Sequence, residues 1–144
     1  GVLDKGSDSF CFAPDTDMTL NRSDISVLAQ AKSANYAGQF IVMRNYGVSP
    51  EQVSSLYLAG GLANYINVSN AVDIGFIANI PEDRIFKVGN ASLEGATMLL
   101  ISSPMRDKIS KIVSRIEHIE LETVPDFFEI FVEGCLFNPM PRNI

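Results

Sequence analysis

The stretch LYLAGGLANYI, residues 56–66, runs apolar and aromatic residues into a glycine pair and then into small and polar residues. The first part has the composition of a short strand. Gly60 and Gly61 carry no Cβ, so the backbone there can adopt a positive φ or let a ligand approach closely. The stretch therefore predicts either a tight turn or a turn against which a ligand lies.

A second junction of the same kind follows in the chain. Residues 85–88, IFKV, predict a short strand, and Gly89–Asn90 opens the helix pattern NASLEGATMLLIS. Two such junctions can form two walls of one cleft, although the spacing by itself favours tight turns with close helix packing. Neither junction matches the phosphate-binding patterns GxxxxGK[ST] or GxGxxG.

Composition excludes several classes of protein. The chain has 144 residues, 47% of them hydrophobic, which suits one globular domain with a sizeable core. The net charge is -6 and the basic residues are scattered, so no nucleic-acid partner is expected. No apolar run reaches the roughly 18 residues that a membrane span needs. Cys11 and Cys135 predict buried free thiols in a reducing compartment, and hence a cytoplasmic protein.

Strand patterns alternate with helix patterns, which predicts an α/β fold with a short sheet and packed helices. We expect a flexible arm or a cut boundary at 1–8, a single domain over 9–138 and a tail at 139–144. A long helix is predicted over 24–46, with apolar residues on two faces, so both faces should be covered. Three asparagines stand where helices should begin and are predicted as caps: Asn21, Asn67 (with Ser69 as an alternative) and Asn90.

The helix after Asn67 is predicted to run to about Ala78, and the last helix pattern is PDFFEIFVEGCLF, residues 125–137. Between 118 and 122 the letters HIELE alternate like a half-buried strand. These patterns complete the predicted order of strands and helices.

Few side chains suggest chemistry. Lys32 interrupts an apolar stripe of the long helix, where its amine could reach a phosphate or a carboxylate, but extension of the amine to water is the favoured reading. His118 is the only histidine and is expected to be exposed, so neither a Ser-His-Asp triad nor a histidine metal site is expected. No two of the acidic residues are spaced so that their carboxylates would form a pair on one face of a helix. The sequence therefore predicts no catalytic residue and no metal ligand.

Four segments, in order, resemble one known family. They are DISVLAQAKSANYAG, LYLAGGLANYINVSNAVDIGFI, IFKVGNASLEGATMLL and HIELETVPDFFEIFVEGCLF. Together they resemble the C-terminal region of the reductive activators of corrinoid proteins, over about residues 19–138. That family belongs to the actin, hexokinase and heat-shock-chaperone ATPase superfamily (ASKHA). The resemblance implies that the chain is the C-terminal lobe of an actin-like, ribonuclease-H-like ATPase fold.

The resemblance also implies a nucleotide site. AGG at 59–61 resembles the superfamily's adenosine motif, and GNASLEG at 89–95 resembles its later connecting motif. The family usually reads Gly-Gly-Phe-Gly-Asn-Tyr, so Leu62 and Ala63 are departures here. The implied nucleotide-binding residues are Gly60, Gly61, Leu62 and Asn64 on the adenosine side, Gly89, Asn90 and Gly95 on the opposite wall, and Lys32, which matches the family pattern.

For function, the resemblance implies a parent protein that uses ATP and Mg²⁺ to reduce the cobalt(II) corrinoid of a partner methyltransferase protein to cobalt(I). The electrons would pass through a [2Fe–2S] cluster in an N-terminal domain that is missing here, and members are often homodimers. This lobe alone is expected to be inactive. Two alternatives stay open: the lobe of a sugar- or acyl-kinase-like phosphotransferase, and a non-catalytic interaction module of the same fold.

Overall fold

The computed structural model describes residues 9–16 and 18–142, and its longest element is helix α1, Arg22–Tyr46. Asn21 and Asp24 form a capping box, in which each side chain accepts a 2.9 Å hydrogen bond from the other residue's backbone N–H. Gly47, with a φ of 69°, ends the helix because only glycine enters this left-handed conformation without strain. The prediction of a helix over 24–46 is confirmed to within two residues. The predicted arm at 1–8 lies outside the described residues.

The other elements alternate short strands with helices. In chain order they are β1 (Ser9–Ala13), β2 (Met18–Asn21), α1, β3 (Leu56–Ala59), α2 (Gly61–Tyr65), α3 (Val68–Asp73), β4 (Ile85–Gly89), α4 (Ala91–Ile101), α5 (Ser103–Val113) and α6 (Phe127–Gly134). Strands β1 and β2 pair antiparallel, and β3 and β4 pair parallel in a separate sheet. The α/β class is confirmed, with two two-stranded sheets among the described residues rather than one short sheet.

Two of the predicted elements differ from the structure. The helix that Asn67 caps ends at Asp73, not at Ala78, because Gly75 adopts a φ of 70° and the Phe76 N–H bonds back to the Ala71 carbonyl at 2.8 Å. This is the Schellman arrangement that terminates helices. The strand predicted at 118–122 is wrong: this segment has no strand pairing, and a 3-10 turn follows at Leu121–Thr123.

The core lies between α1 and α6. The Ser33 hydroxyl donates to the Phe131 carbonyl, and a Cβ added at Gly134 would lie 2.7 Å from Ser33 Oγ and 2.9 Å from Tyr36 Cδ1. Such close approach needs the glycine. The buried residues of this core are Tyr36, Ala37, Ile41, Met43, Ala78, Ile80, Ile130 and Met140. Met140 belongs to the segment predicted as a tail, yet its side chain is buried, so packing extends past residue 138.

Two predictions of burial are wrong. The second apolar stripe of α1 is exposed at Val27, Ala31 and Ala34, so the N-terminal half of the helix is covered on one face only. Cys11 is exposed because it lies in the two-stranded hairpin β1–β2, which buries little surface, and Cys135 is half-buried; both are free thiols.

Candidate functional site

The two glycine turns meet at one edge of the parallel sheet. Strands β3 and β4 pair from Leu56 with Ile85 onward, and a bulge at the last step pairs Ala59 with Gly89. The Gly60 N–H then donates to the Gly89 carbonyl at 2.7 Å. Because both strands run in the same direction, both turns lie at their carboxyl ends, which is where open α/β sheets bind ligands.

Two of the glycines at this edge are explained by backbone conformation alone. Gly60 has a φ of 94° and Gly89 has a φ of 65°. These are left-handed conformations that a residue with a Cβ rarely adopts. Tight turns therefore suffice to explain why Gly60 and Gly89 are glycines.

Gly61 and Gly95 are not explained in that way. Neither has a positive φ, and a Cβ added to either would meet no atom of the described residues within 4 Å, neighbouring residues and the helix's own backbone aside. Gly95 lies inside α4, where glycine costs about 1 kcal/mol relative to alanine. The packing of the described residues therefore gives no reason for glycine at these two positions, and it leaves the space beside them open.

Helix α2 begins at this edge and presents most of its surface outward. Leu62 is 69% exposed and Asn64 is also exposed, whereas Ala63 is buried. The departure from the family pattern at residue 63 therefore places a methyl group in the core. A helical backbone accepts that methyl group without strain, so a glycine is not required there.

Asn90 connects β4 to α4. Its side-chain oxygen accepts a 3.0 Å hydrogen bond from the Leu93 N–H, which caps the helix and confirms its predicted role as a helix start. Asn67 caps α3 in the same way, through the Asn70 N–H at 2.9 Å. The structure thus brings Gly60, Gly61, Gly89 and Asn90 together, while Gly95 lies farther along α4.

Lys32 lies elsewhere, in the core between α1 and α6. Its side chain is fully buried, and its amine donates to the carbonyls of Gly134 at 2.5 Å and Leu136 at 2.6 Å. It also lies 5.2 Å from the centre of the Tyr36 ring. Burial lowers the pKa of Lys32 below its ordinary value. The expectation that the amine extends to water is wrong, because two carbonyls at the end of α6 replace the water.

This placement bears on the predicted nucleotide contact of Lys32. The buried amine is not accessible to a phosphate in this structure, and it is not among the groups at the glycine edge. The role that the structure gives to Lys32 is to join α1 to the segment that follows α6.

One residue of the edge was missed by the sequence reasoning. The Lys87 amine, on β4, donates to the Ile66 carbonyl at 2.7 Å and to the Asn64 carbonyl at 3.4 Å, at the end of α2. The signal in the sequence was a single charged residue inside the apolar strand IFKV.

A groove of about 500 Å³ lies away from this edge, between α1 and residues 115–121. His118 lines it and is exposed, as predicted. The described residues contain no group of three or more histidine, cysteine or acidic side chains that could hold a metal ion. None of the helices within 9–16 and 18–142 is both long enough and apolar enough to cross a bilayer.

Comparison with known proteins identifies the family. Residues 5–143 match the family model described as the C-terminal domain of RACo, the ASKHA domain. The chain is 31% identical over 121 residues to the corrinoid activation enzyme RamQ of Eubacterium limosum, covering 84% of this chain and 20% of that protein. A solved structure of a reductive activator for corrinoid, iron–sulfur protein superposes with a TM-score of 0.78 at 26% identity, over 94% of this chain and 23% of the other.

The chain thus spans about a fifth to a quarter of the length of these relatives. The resemblance read from the four sequence segments is confirmed, and so is the assignment to the ASKHA superfamily. The match covers all of the described elements from β1 to α6. The chain therefore belongs to the family of C-terminal ASKHA domains of RACo-type corrinoid activators.

Proposed function

We propose that this chain is the C-terminal, nucleotide-binding-type lobe of an ATP-dependent activator that reduces the cobalt(II) corrinoid of a partner methyltransferase protein to cobalt(I). The relatives are by name a corrinoid activation enzyme and a reductive activator for a corrinoid, iron–sulfur protein. In the parent protein, a [2Fe–2S] cluster in another domain would supply the electron.

The observation that carries the nucleotide part of the proposal is the open space beside Gly61. This glycine lies at the carboxyl end of two paired parallel strands, and neither its backbone conformation nor the surrounding packing requires it. A backbone without a Cβ fits the close approach of a flat adenosine. Gly60 and Gly89 would hold the turn backbones in place, and Asn90 would hold the start of α4.

The same residues supply only part of an ATPase site, because Mg²⁺ at a nucleotide is usually held by one or two carboxylates together with the phosphates, and none of the residues proposed for the nucleotide carries a carboxylate. The described residues contain no cluster of three or more acidic or histidine side chains for Mg²⁺. In the proposal, Mg²⁺ would be held by the nucleotide phosphates and by residues outside this chain. The chain alone is accordingly proposed to neither hydrolyse ATP nor transfer electrons.

Exposed apolar side chains support the interpretation as a lobe of a larger protein. Helices α4 and α5 expose Leu93, Met98, Leu100, Ile101, Met105, Ile109, Ile112 and Val113. A monomer in water rarely exposes so many apolar residues on two adjacent helices. We propose that other parts of the parent protein cover them. A homodimer of the parent is a second arrangement that would do so.

ATP would act through differential binding. A nucleotide can shift a conformational equilibrium only by as much as it prefers one state to the other. If α2 and α4 close on the nucleotide from the two turns, ATP favours the closed state of the parent. That state would bring the two redox centres together or raise the potential of the cobalt.

The nucleotide site can be tested in the full-length protein by calorimetric titration with ATP. We expect Gly61→Val to weaken ATP binding at least about tenfold, because a branched side chain would occupy the open space. Ala34→Val is the matched control, since it adds the same branching at an exposed helical position of α1 away from the edge. Equal affinities of the wild type and Gly61→Val for ATP would exclude the proposed contact between the nucleotide and the backbone at Gly61.

The redox part has a separate test. The full-length protein, with a reductant and the corrinoid partner, should restore the cobalt(I) absorption spectrum only when ATP is present. Complete reduction without ATP would remove the need for an ATPase lobe. Phosphorylation of a small sugar or acyl acid by the same protein would instead support the kinase-like alternative.

A further inference from the structure

Strand β4 holds helix α2 at both of its ends. At the start of the helix, the Gly89 carbonyl accepts the Gly60 N–H at 2.7 Å. At its end, the Lys87 amine donates to the Ile66 carbonyl at 2.7 Å and to the Asn64 carbonyl at 3.4 Å. The two holding residues are two positions apart on one strand.

Helix α2 depends on this support because it is too short to be stable by itself. It has five residues, and forming a first helical turn is unfavourable in isolation. Its last carbonyls have no partners within the helix, and a positive charge at this end is favourable. Little burial fixes its orientation, since Ala63 is buried but Leu62 and Tyr65 are 69% and 89% exposed.

We propose that Lys87 is a positioning residue for nucleotide binding. By holding the end of α2 from β4, it fixes the Gly60–Gly61 turn relative to the Gly89–Asn90 turn, which β4 itself leads into. Lys87 acts through α2 and makes no contact with the nucleotide. This inference rests on the proposed nucleotide site, and it adds a residue that fixes the orientation of α2, whose first residue Gly61 belongs to that site.

The competing explanation is direct contact, because Lys87 is itself an exposed side chain. An amine that touches a phosphate contributes to ATP binding and not to the binding of adenosine, which has no phosphate. An amine that positions α2 contributes equally to the binding of ATP and of adenosine, because α2 is proposed to contact the adenosine part that both ligands share. The two roles therefore separate when both ligands are titrated.

The experiment compares the wild-type full-length protein with Lys87→Met, Lys87→Arg and Lys111→Met by calorimetric titration with ATP and with adenosine. Loss of the two charge-assisted hydrogen bonds from the exposed Lys87 amine should weaken the binding of both ligands by the same factor, roughly 3- to 10-fold, in Lys87→Met. Lys87→Arg should recover most of the affinity because it retains a cationic donor. Lys111→Met removes an equal charge from α5 and should bind as the wild type does.

Hydrogen exchange without nucleotide gives a readout that is independent of the ligand. The amide of Ile66, which donates to the Leu62 carbonyl at 3.2 Å and closes the last turn of α2, should exchange faster in Lys87→Met than in the wild type and Lys111→Met. If Lys87→Met does not fold, Lys87→Gln takes its place, because it removes the charge with a polar side chain.

Each other outcome overturns the inference in a recognisable way. Wild-type affinity of the folded variant for both ligands, even with a lower Tm, would reduce Lys87 to a structural residue. A loss for ATP alone would make Lys87 a phosphate ligand. If the wild type binds neither ligand, the proposed nucleotide site is wrong and the inference falls with it.

Discussion

Gly75 offers the sharpest test of how the C-terminal segment is held. It follows α3 with a φ of 70°, and a Cβ added there would overlap the backbone carbonyl oxygen of Asn138. The added atom would also lie 3.4 Å from the Lys32 amine. We expect Gly75→Ala to lower the free energy of unfolding substantially, because neither a backbone carbonyl nor a buried lysine can move aside cheaply.

The size of the effect has two parts. The left-handed backbone costs a residue with a Cβ about 1–2 kcal/mol. Relief of the overlap by shifting the backbone costs about 1–3 kcal/mol more. The expected loss is therefore roughly 2–5 kcal/mol, which is a large share of the about 5–15 kcal/mol that stabilises a typical domain.

Urea unfolding followed by circular dichroism would measure this loss, and Gly47→Ala is the matched control. Gly47 has nearly the same φ, 69°, but a Cβ added there would meet no atom of the described residues within 4 Å, chain neighbours aside. The control should therefore show only the backbone part, about 1–2 kcal/mol. If both variants lose the same free energy, the contact between Gly75 and Asn138 does not constrain the fold, and the reasoning is refuted.

Two further predictions concern charged groups. Lys32→Met should cost about 1–3 kcal/mol, because two carbonyls lose their donor. Since burial lowers the Lys32 pKa, the unfolded chain keeps this proton to higher pH than the folded one. The advantage of the wild type over Lys32→Met in urea unfolding should then grow as the pH rises through the lowered pKa of folded Lys32 towards the ordinary lysine value of about 10.4. For Asp126, hydrogen bonds of 2.6 and 2.9 Å from Arg44 hold the carboxyl pKa below its usual value. The wild type should be slightly more stable than Asp126→Asn at neutral pH. This difference should vanish as the pH falls below the ordinary aspartate range, and an unchanged difference in acid would contradict the ion pair.

The sequence predicted the features that depend on neighbouring residues. Asn21, Asn67 and Asn90 each cap a helix, since a cap needs only a side-chain oxygen within reach of the next turn. The turns at both glycine junctions follow from the same local rules. The α/β class followed from the alternation of these local patterns.

The predictions were wrong where the same local pattern suits more than one tertiary environment. The alternation in HIELE suited a strand, but Ile119 and Leu121 pack against the core without any strand pairing. The apolar stripe beside Lys32 showed that this residue was unusual, but the carbonyls that bind its amine lie about a hundred positions away in the chain, at Gly134 and Leu136. No local rule anticipates such a partner.

The candidate site also combines features that the sequence predicts with features that depend on the tertiary structure. The sequence by itself determined that two strands end in glycine turns, that each turn leads into a helix, and which family carries those turns. The tertiary structure alone decided that β3 and β4 pair in parallel, that the Gly60 N–H meets the Gly89 carbonyl, and that Lys87 rather than Lys32 lies at this edge. Caps and turns come from steric and hydrogen-bonding limits within a few residues, whereas pairing and burial depend on segments that only folding brings together.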